Sequence, residues 1–161
     1  MQAAKDTFLK TLASRLAVVN PARTVTLDGV TRPAVLALEN EIPMPPDTEL
    51  ETFLLNWQGA AKVVPGEPLM QLDCKLSYGT KGTDAMLRTD CGRILTAMDQ
   101  ELLRICEPHC AAQVDYSTTP VTALGNNIFW DAPVLGAVKD DGNGVLGRTA
   151  EITLFYFPEA D

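Results

Sequence analysis

The densest group of ligand-forming side chains in the sequence is Cys106-Glu107-Pro108-His109-Cys110. Two thiols and an imidazole can supply three zinc ligands, with Cys91 or Cys74 as a fourth. The paired Cys-x-x-Cys spacing of structural zinc sites is missing, however, and Pro108 separates a helical Cys106 from Cys110. The expectation is two half-buried thiols at a helix end beside a surface histidine, with no metal and no cofactor. A Cys–His nucleophile pair requires the base within hydrogen-bond reach of the thiol. His109 and Cys110 are chain neighbours whose side chains diverge, and no acid is in evidence to orient the imidazole. His109 is the sole histidine, so a Ser–His–Asp triad would also depend on it, and no Gly-x-Ser-x-Gly elbow exists. No catalytic residue is expected.

Other chemistry-bearing segments read as structure. Gly142-Asn143-Gly144 and Gly144-Val145-Leu146-Gly147 match neither a phosphate-binding loop nor a dinucleotide fingerprint, and they lead into a strand. Asp140, Asp141 and Asn143 lack the spacing and closing Glu of a calcium loop. Glu39, Glu41, Asp47, Glu49 and Glu51 crowd a proline-rich stretch. Paired carboxylates do acid–base work only where their surroundings split their pKa values, and in a loop these are expected to be solvated. Trp57, Phe129 and Trp130 are candidate anchors for a partner, as are Glu39, Glu41 and Asp47 in the acidic loop, because aromatic side chains dominate interface energetics.

The elements that would position these residues follow from hydrophobic spacing. Phe8, Leu9, Leu12, Leu16 and Val19 recur every three or four residues and predict a helix over Ala3–Val19, ended by Asn20-Pro21. Asp28-Gly29 between β-branched residues predicts a two-residue hairpin. Ala34 to Leu38 reads as a buried strand, Glu39 to Asp47 as a loop, and Thr52 to Val64 as a strand bent at Gly59. Met70, Leu72, Cys74, Leu76 and Tyr78 alternate with polar residues and predict a half-exposed antiparallel strand. Thr83 or Asp84 is expected to cap a second helix, whose stripe runs Leu87, Cys91, Ile94, Leu95, Met98, Leu102 and Ile105 until Pro108 stops it. Cys110 to Leu146 reads as irregular, with short strands at Val121–Leu124 and Ile128–Trp130 and a turn at Asp140–Gly144. The closing strand, Arg148 to Phe157, carries aromatics on its second face as well. Together these predict one α+β domain over 1–161, a mixed or mostly antiparallel sheet with two main helices packed on one face. Long loops are expected at 39–49 and 131–147.

Composition limits the partners. The 161 residues carry a formal charge of -8, with 46% hydrophobic residues, enough for a core. Lys and Arg are scattered, which disfavours a grip on nucleic-acid phosphates, whereas an acidic wall would let DNA pass without capture. No secretory signal and no spanning segment are expected, so no membrane association is expected either.

The order of elements resembles the tail-terminator (tail-completion) proteins of long-tailed bacteriophages. The residues carrying the resemblance are Phe8 to Val19, Arg32-Pro33-Ala34-Val35 leading to the acidic loop, Met70 to Tyr78, Leu87 to Cys106, and Ile152 to Phe157. It implies a structural virion protein in the tail or neck, assembled in the host cytoplasm. Such a protein caps the tail tube as a hexameric ring and joins it to the head-side connector. Its implied partners are itself, the tail tube protein and the connector protein, with DNA passing through the lumen. It implies no enzyme. The alternatives are another neck or connector protein, a small zinc- or thiol-dependent enzyme centred on Cys106, His109 and Cys110, or a monomeric ligand-binding domain.

Overall fold

The computed structural model describes residues 1–41 and 50–158, so Asp47 lies outside the described residues. The first helix, α1 (Gln2–Val19), forms on the spacing of Phe8, Leu12 and Leu16, all three completely buried. Each such side chain removed from water contributes about 1.5–3 kcal/mol. The helix stops at Asn20, whose side-chain oxygen accepts from Ala22 N–H at 3.2 Å. A hairpin follows, β1 (Thr24–Leu27) and β2 (Val30–Pro33), turned through Asp28 and Gly29 with φ of 49° and 79°. Positive φ at both turn positions is what the Asp-Gly pair supplies.

The main sheet contains β3 (Val35–Ala37), β4 (Phe53–Lys62), β5 (Met70–Thr80), β6 (Cys110–Asp115), β7 (Thr122–Trp130), β8 (Val134–Leu135), β9 (Lys139–Asp140) and β10 (Leu146–Tyr156). Its order is β3-β4-β5-β10-β7-β6, with β8 and β9 also pairing β10. Among the described residues, only the β3–β4 pair is parallel. β5 and β10 form the spine, in register from Thr80↔Leu146 to Met70↔Tyr156.

The second helix, α2 (Cys91–Ile105), packs with α1 on one face of this sheet. Leu72, Cys74, Leu76 and Tyr78 of β5 and Ala150, Ile152, Leu154 and Tyr156 of β10 point into that core. The intervening Asp73, Lys75 and Glu151 are exposed on the other face. The fold is therefore α+β, with a mostly antiparallel sheet.

Four expectations need correction. α2 begins at Cys91, not at Thr83 or Asp84. Residues Asp84–Met86 form a single 3₁₀ turn, and Leu87, with φ of 48°, is 86% exposed rather than part of the buried stripe. Asp90 reverses the expected cap by reaching back to Thr83, accepting from its N–H and its hydroxyl, both at 2.8 Å. Second, Cys110 to Trp130 is a β6–β7 hairpin, not an irregular stretch. Third, the 131–147 segment is tied to β10 through β8 and β9. Fourth, Glu39 and Glu41 are paired and not simply solvated: Lys5 holds Glu39 at 2.8 Å, and Arg32 holds Glu41.

The two flanks of the sheet end differently. At β6 the Thr7 hydroxyl accepts from Val114 N–H at 3.0 Å and donates to Val114 C=O at 3.3 Å. A side chain of α1 thus stands where another strand would pair. At the other flank β3 covers only Phe53–Leu55 of β4. Among the described residues, β4 from Asn56 onward pairs with β5 alone, through a bulge between Trp57 and Ala60. The β4–β5 tip is ordered. Glu67 N–H bonds Val64 C=O at 3.1 Å around Pro65 and Gly66 (φ 91°), the signature of a type II turn.

Candidate functional site

Cys106 caps the C-terminus of α2 and is completely buried, its thiol pushed up to about 12 by desolvation. Its carbonyl accepts the Trp130 indole N–H at 3.2 Å. Cys110, at the start of β6, is exposed. His109 lies edge-on to Trp130, with ring centroids 6.1 Å apart. Cys74 is buried under the helices, and burial drives its thiol far up as well. Among the described residues no group of three or more His, Cys, Asp or Glu side chains is placed to hold a metal ion. The three residues nearest in sequence to a zinc set are therefore divided between core and surface.

The aromatic candidates separate in the same way. Trp130 is 2% exposed and packs edge-to-face on Phe8 at 5.1 Å. Trp57 is half-buried, meets the same Phe8 ring at 5.8 Å, and lies beneath the Lys5 ammonium. Trp130 is a core residue, which corrects its reading as a partner anchor, whereas Trp57 packs against the core and keeps part of its surface exposed. Phe129 alone of the three faces outward, 37% exposed, and stacks on Phe155 of β10 at 5.2 Å with a 17° interplanar angle. Strand alternation sends Phe129 away from Trp130, which puts this pair on the sheet face that the helices leave uncovered.

No protein-family model and no curated protein matches this chain.

Two polar arrangements fix the helices without forming a reaction centre. Tyr78 donates to Asp99 at 2.6 Å, and Arg148 approaches the same oxygen at 3.0 Å while donating to Gly136 C=O at 2.7 Å. Burial first, then the Asp99 carboxylate, pushes the Tyr78 hydroxyl up, so it stays a hydrogen-bond donor. The group ties α2 to β5, to β10 and to the segment at Gly136. Likewise, Arg23 is buried against Glu101 of α2, and Asn20 donates to the same carboxylate at 2.7 Å. This clamps the end of α1 and the start of β1 to the second helix.

A surface that sequence reading missed lies between the helices. Lys10, Ser14, Val18, Val19, Arg104 and Tyr116 are among the residues lining a groove of about 610 Å³. Arg15 fixes its floor by donating to Ile105 C=O at 2.8 Å and Glu107 C=O at 2.9 Å, with its guanidinium over Trp130. Ile105 C=O is one of the orphan carbonyls at the C-terminus of α2, and Glu107 C=O follows just beyond the helix. Val18 is 82% exposed, and Lys10 and Arg104 have no acidic partner among the described residues. The outward spacing of Lys10, Ser14 and Val18 along α1 was readable, but that Arg104 would come alongside it was not. Among the described residues no helix is long and apolar enough to cross a membrane.

Proposed function

We propose that this chain is a structural assembly protein. We place it as a terminator subunit that closes the tail tube of a long-tailed bacteriophage as a ring and meets the head-side connector. The observation that carries the reading is the uncovered sheet face with its stacked Phe129–Phe155 pair. A side chain pair of this size, held rigidly on paired strands, supplies the preorganised apolar centre that a protein interface is built around. The element order supports the same reading, because the helix, hairpin, sheet and second helix of the resemblance all occur in sequence. The formal charge of -8 suits a lumen through which DNA slides without being held.

The test is the solution mass of the purified chain across concentration, followed by electron microscopy after mixing with purified tail tubes. A closed ring, free or seated on tube ends, is expected, and Phe129→Asp should lose the tube ends while remaining folded. A chain that stays monomeric and leaves tube ends bare would sink the reading.

A further inference from the structure

Among the described residues Leu87 is the most exposed large apolar side chain, and Met86 beside it is 50% exposed. Leu87 ends the 3₁₀ turn Asp84–Met86 in left-handed backbone, with ψ of 34°, and Arg88 follows in the same region with φ of 62°. That conformation is unfavourable for a large side chain, and two such residues in succession persist only where their surroundings impose them. Here the surroundings do so. Asp90, 5% exposed, accepts from the Thr83 N–H and hydroxyl. Thr83 C=O accepts from Met86 N–H at 3.1 Å and from Arg88 N–H at 3.0 Å, and Thr89 N–H bonds Met86 C=O at 3.0 Å. The Cys91 thiol donates to Arg88 C=O at 3.1 Å. The turn is thus a rigid stand that holds two apolar side chains out in solvent. An anchor already fixed in place loses little entropy when it enters a partner's pocket.

The position of the turn bears on which partner that is. It follows the end of β5 at Thr80, which pairs with Leu146 of β10, and it shares a recess of about 280 Å³ with Val145 and Leu146. The Phe129–Phe155 pair lies nine residues further along β10, from position 146 to 155, roughly 30 Å at 3.2–3.4 Å per residue. The knob and the aromatic pair therefore occupy opposite ends of one strand. The charges on the turn itself are paired within the chain, Arg88 with Asp84 and Arg93 with Asp90. What the turn offers a partner is apolar.

Resting on the ring reading above, we propose that Met86 and Leu87 are the head-side contact of each subunit, an apolar knob that seats in a hydrophobic recess of the connector protein. With the aromatic pair on the tail tube, the far end of the spine strand is the end left for the second partner. Neighbouring copies meet along the flanks at β4 and β6, whereas the turn stands at the strand ends.

The experiment adds tailless filled heads of the same phage to tail tubes already capped by the full chain, and counts joined particles by electron microscopy. Leu87→Asn should cap tubes as the wild type does and lower head joining at least about tenfold, as loss of an interface anchor does. Leu87→Met should retain joining. Asn is tolerated in left-handed backbone, so Leu87→Asn should melt no lower than the wild type, which separates a joining defect from unfolding. Normal joining by Leu87→Asn overturns the knob and leaves the ring reading standing. Failure of Leu87→Asn to cap tubes overturns the head-side assignment, because the turn would then serve the ring or the tube contact. A wild type that leaves tube ends bare removes the ring reading, and this inference with it.

Discussion

At the scale of single residues, the chemistry is decided by burial. Cys74 and Cys106 are enclosed by the core and their thiols are held protonated by desolvation, whereas Cys110 is exposed and Cys91 partly so. A thiol reagent at mildly alkaline pH should label Cys110 first and Cys91 more slowly, with Cys74 and Cys106 reacting only after denaturation. Mass spectrometry of the labelled peptides reads the order, and early labelling of Cys106 would contradict the packing around it. Asp90 sets a pH dependence. The Thr83 backbone N–H, reinforced by the Thr83 hydroxyl, holds its carboxyl below the ordinary 3.8. A carboxylate depressed in the folded state contributes stability that is present above its unfolded value and lost as pH falls through the folded one. Acid unfolding of the wild type should therefore steepen below about pH 3.8, and Asp90→Asn should flatten that limb.

At the scale of elements, the difference between α2 and the turn before it is open to measurement. Leu102 is fully buried and Leu87 is exposed outside the helix. Leu102→Ala should lower stability by about 2–5 kcal/mol, while Leu87→Ser should fall within the roughly 0.5 kcal/mol typical of surface changes. Urea midpoints at constant slope would show both. Gly82→Ala should also destabilise, because Gly82 has φ of 72° and an added Cβ would meet Asp90 Oδ1 at 2.7 Å. The elements that were legible in the sequence are those whose signal is local. α1, the Asp-Gly hairpin, the bend of β4 near Gly59 and the alternation of β5 all follow from residues a few positions apart. β6 was not legible, since Cys110-Ala-Ala-Gln-Val-Asp has little β-branched content and is a strand only because β7 and α1 accept it. The false start of α2 has a comparable cause. Leu87 lies four residues before Cys91 and extends the helical period, but Asp90, folded back on Thr83, closes a turn there instead. Of the candidate contacts, hydrophobic type alone could not separate Phe129 from Trp130. Strand phase in β7 does so, and that phase is set by pairing with β10.

At the scale of the whole molecule, the β6 edge is sealed at Val114 by the Thr7 side chain, whereas among the described residues β4 beyond Leu55 is open on its outer side. Removing the seal is itself informative. Thr7→Val deletes both bonds to the half-buried Val114, a loss of about 0.5–1.5 kcal/mol for each hydrogen bond. The variant should melt earlier and aggregate more readily, by turbidity on heating, than a control that changes α1 elsewhere, such as Lys10→Ala. The two flanks thus give the molecule a direction, which a ring requires and a two-fold dimer does not. The placement of Phe8 has an optical consequence. The ring of this one α1 residue contacts both tryptophans of the chain, Trp57 and Trp130, which stand on strands at either side of the spine. Intrinsic emission therefore reports the seating of α1 rather than an average over the fold. A helix lifting from the sheet should redden and quench the spectrum in one step while the β-sheet dichroism persists, so a single fluorescence trace can time that event apart from global unfolding.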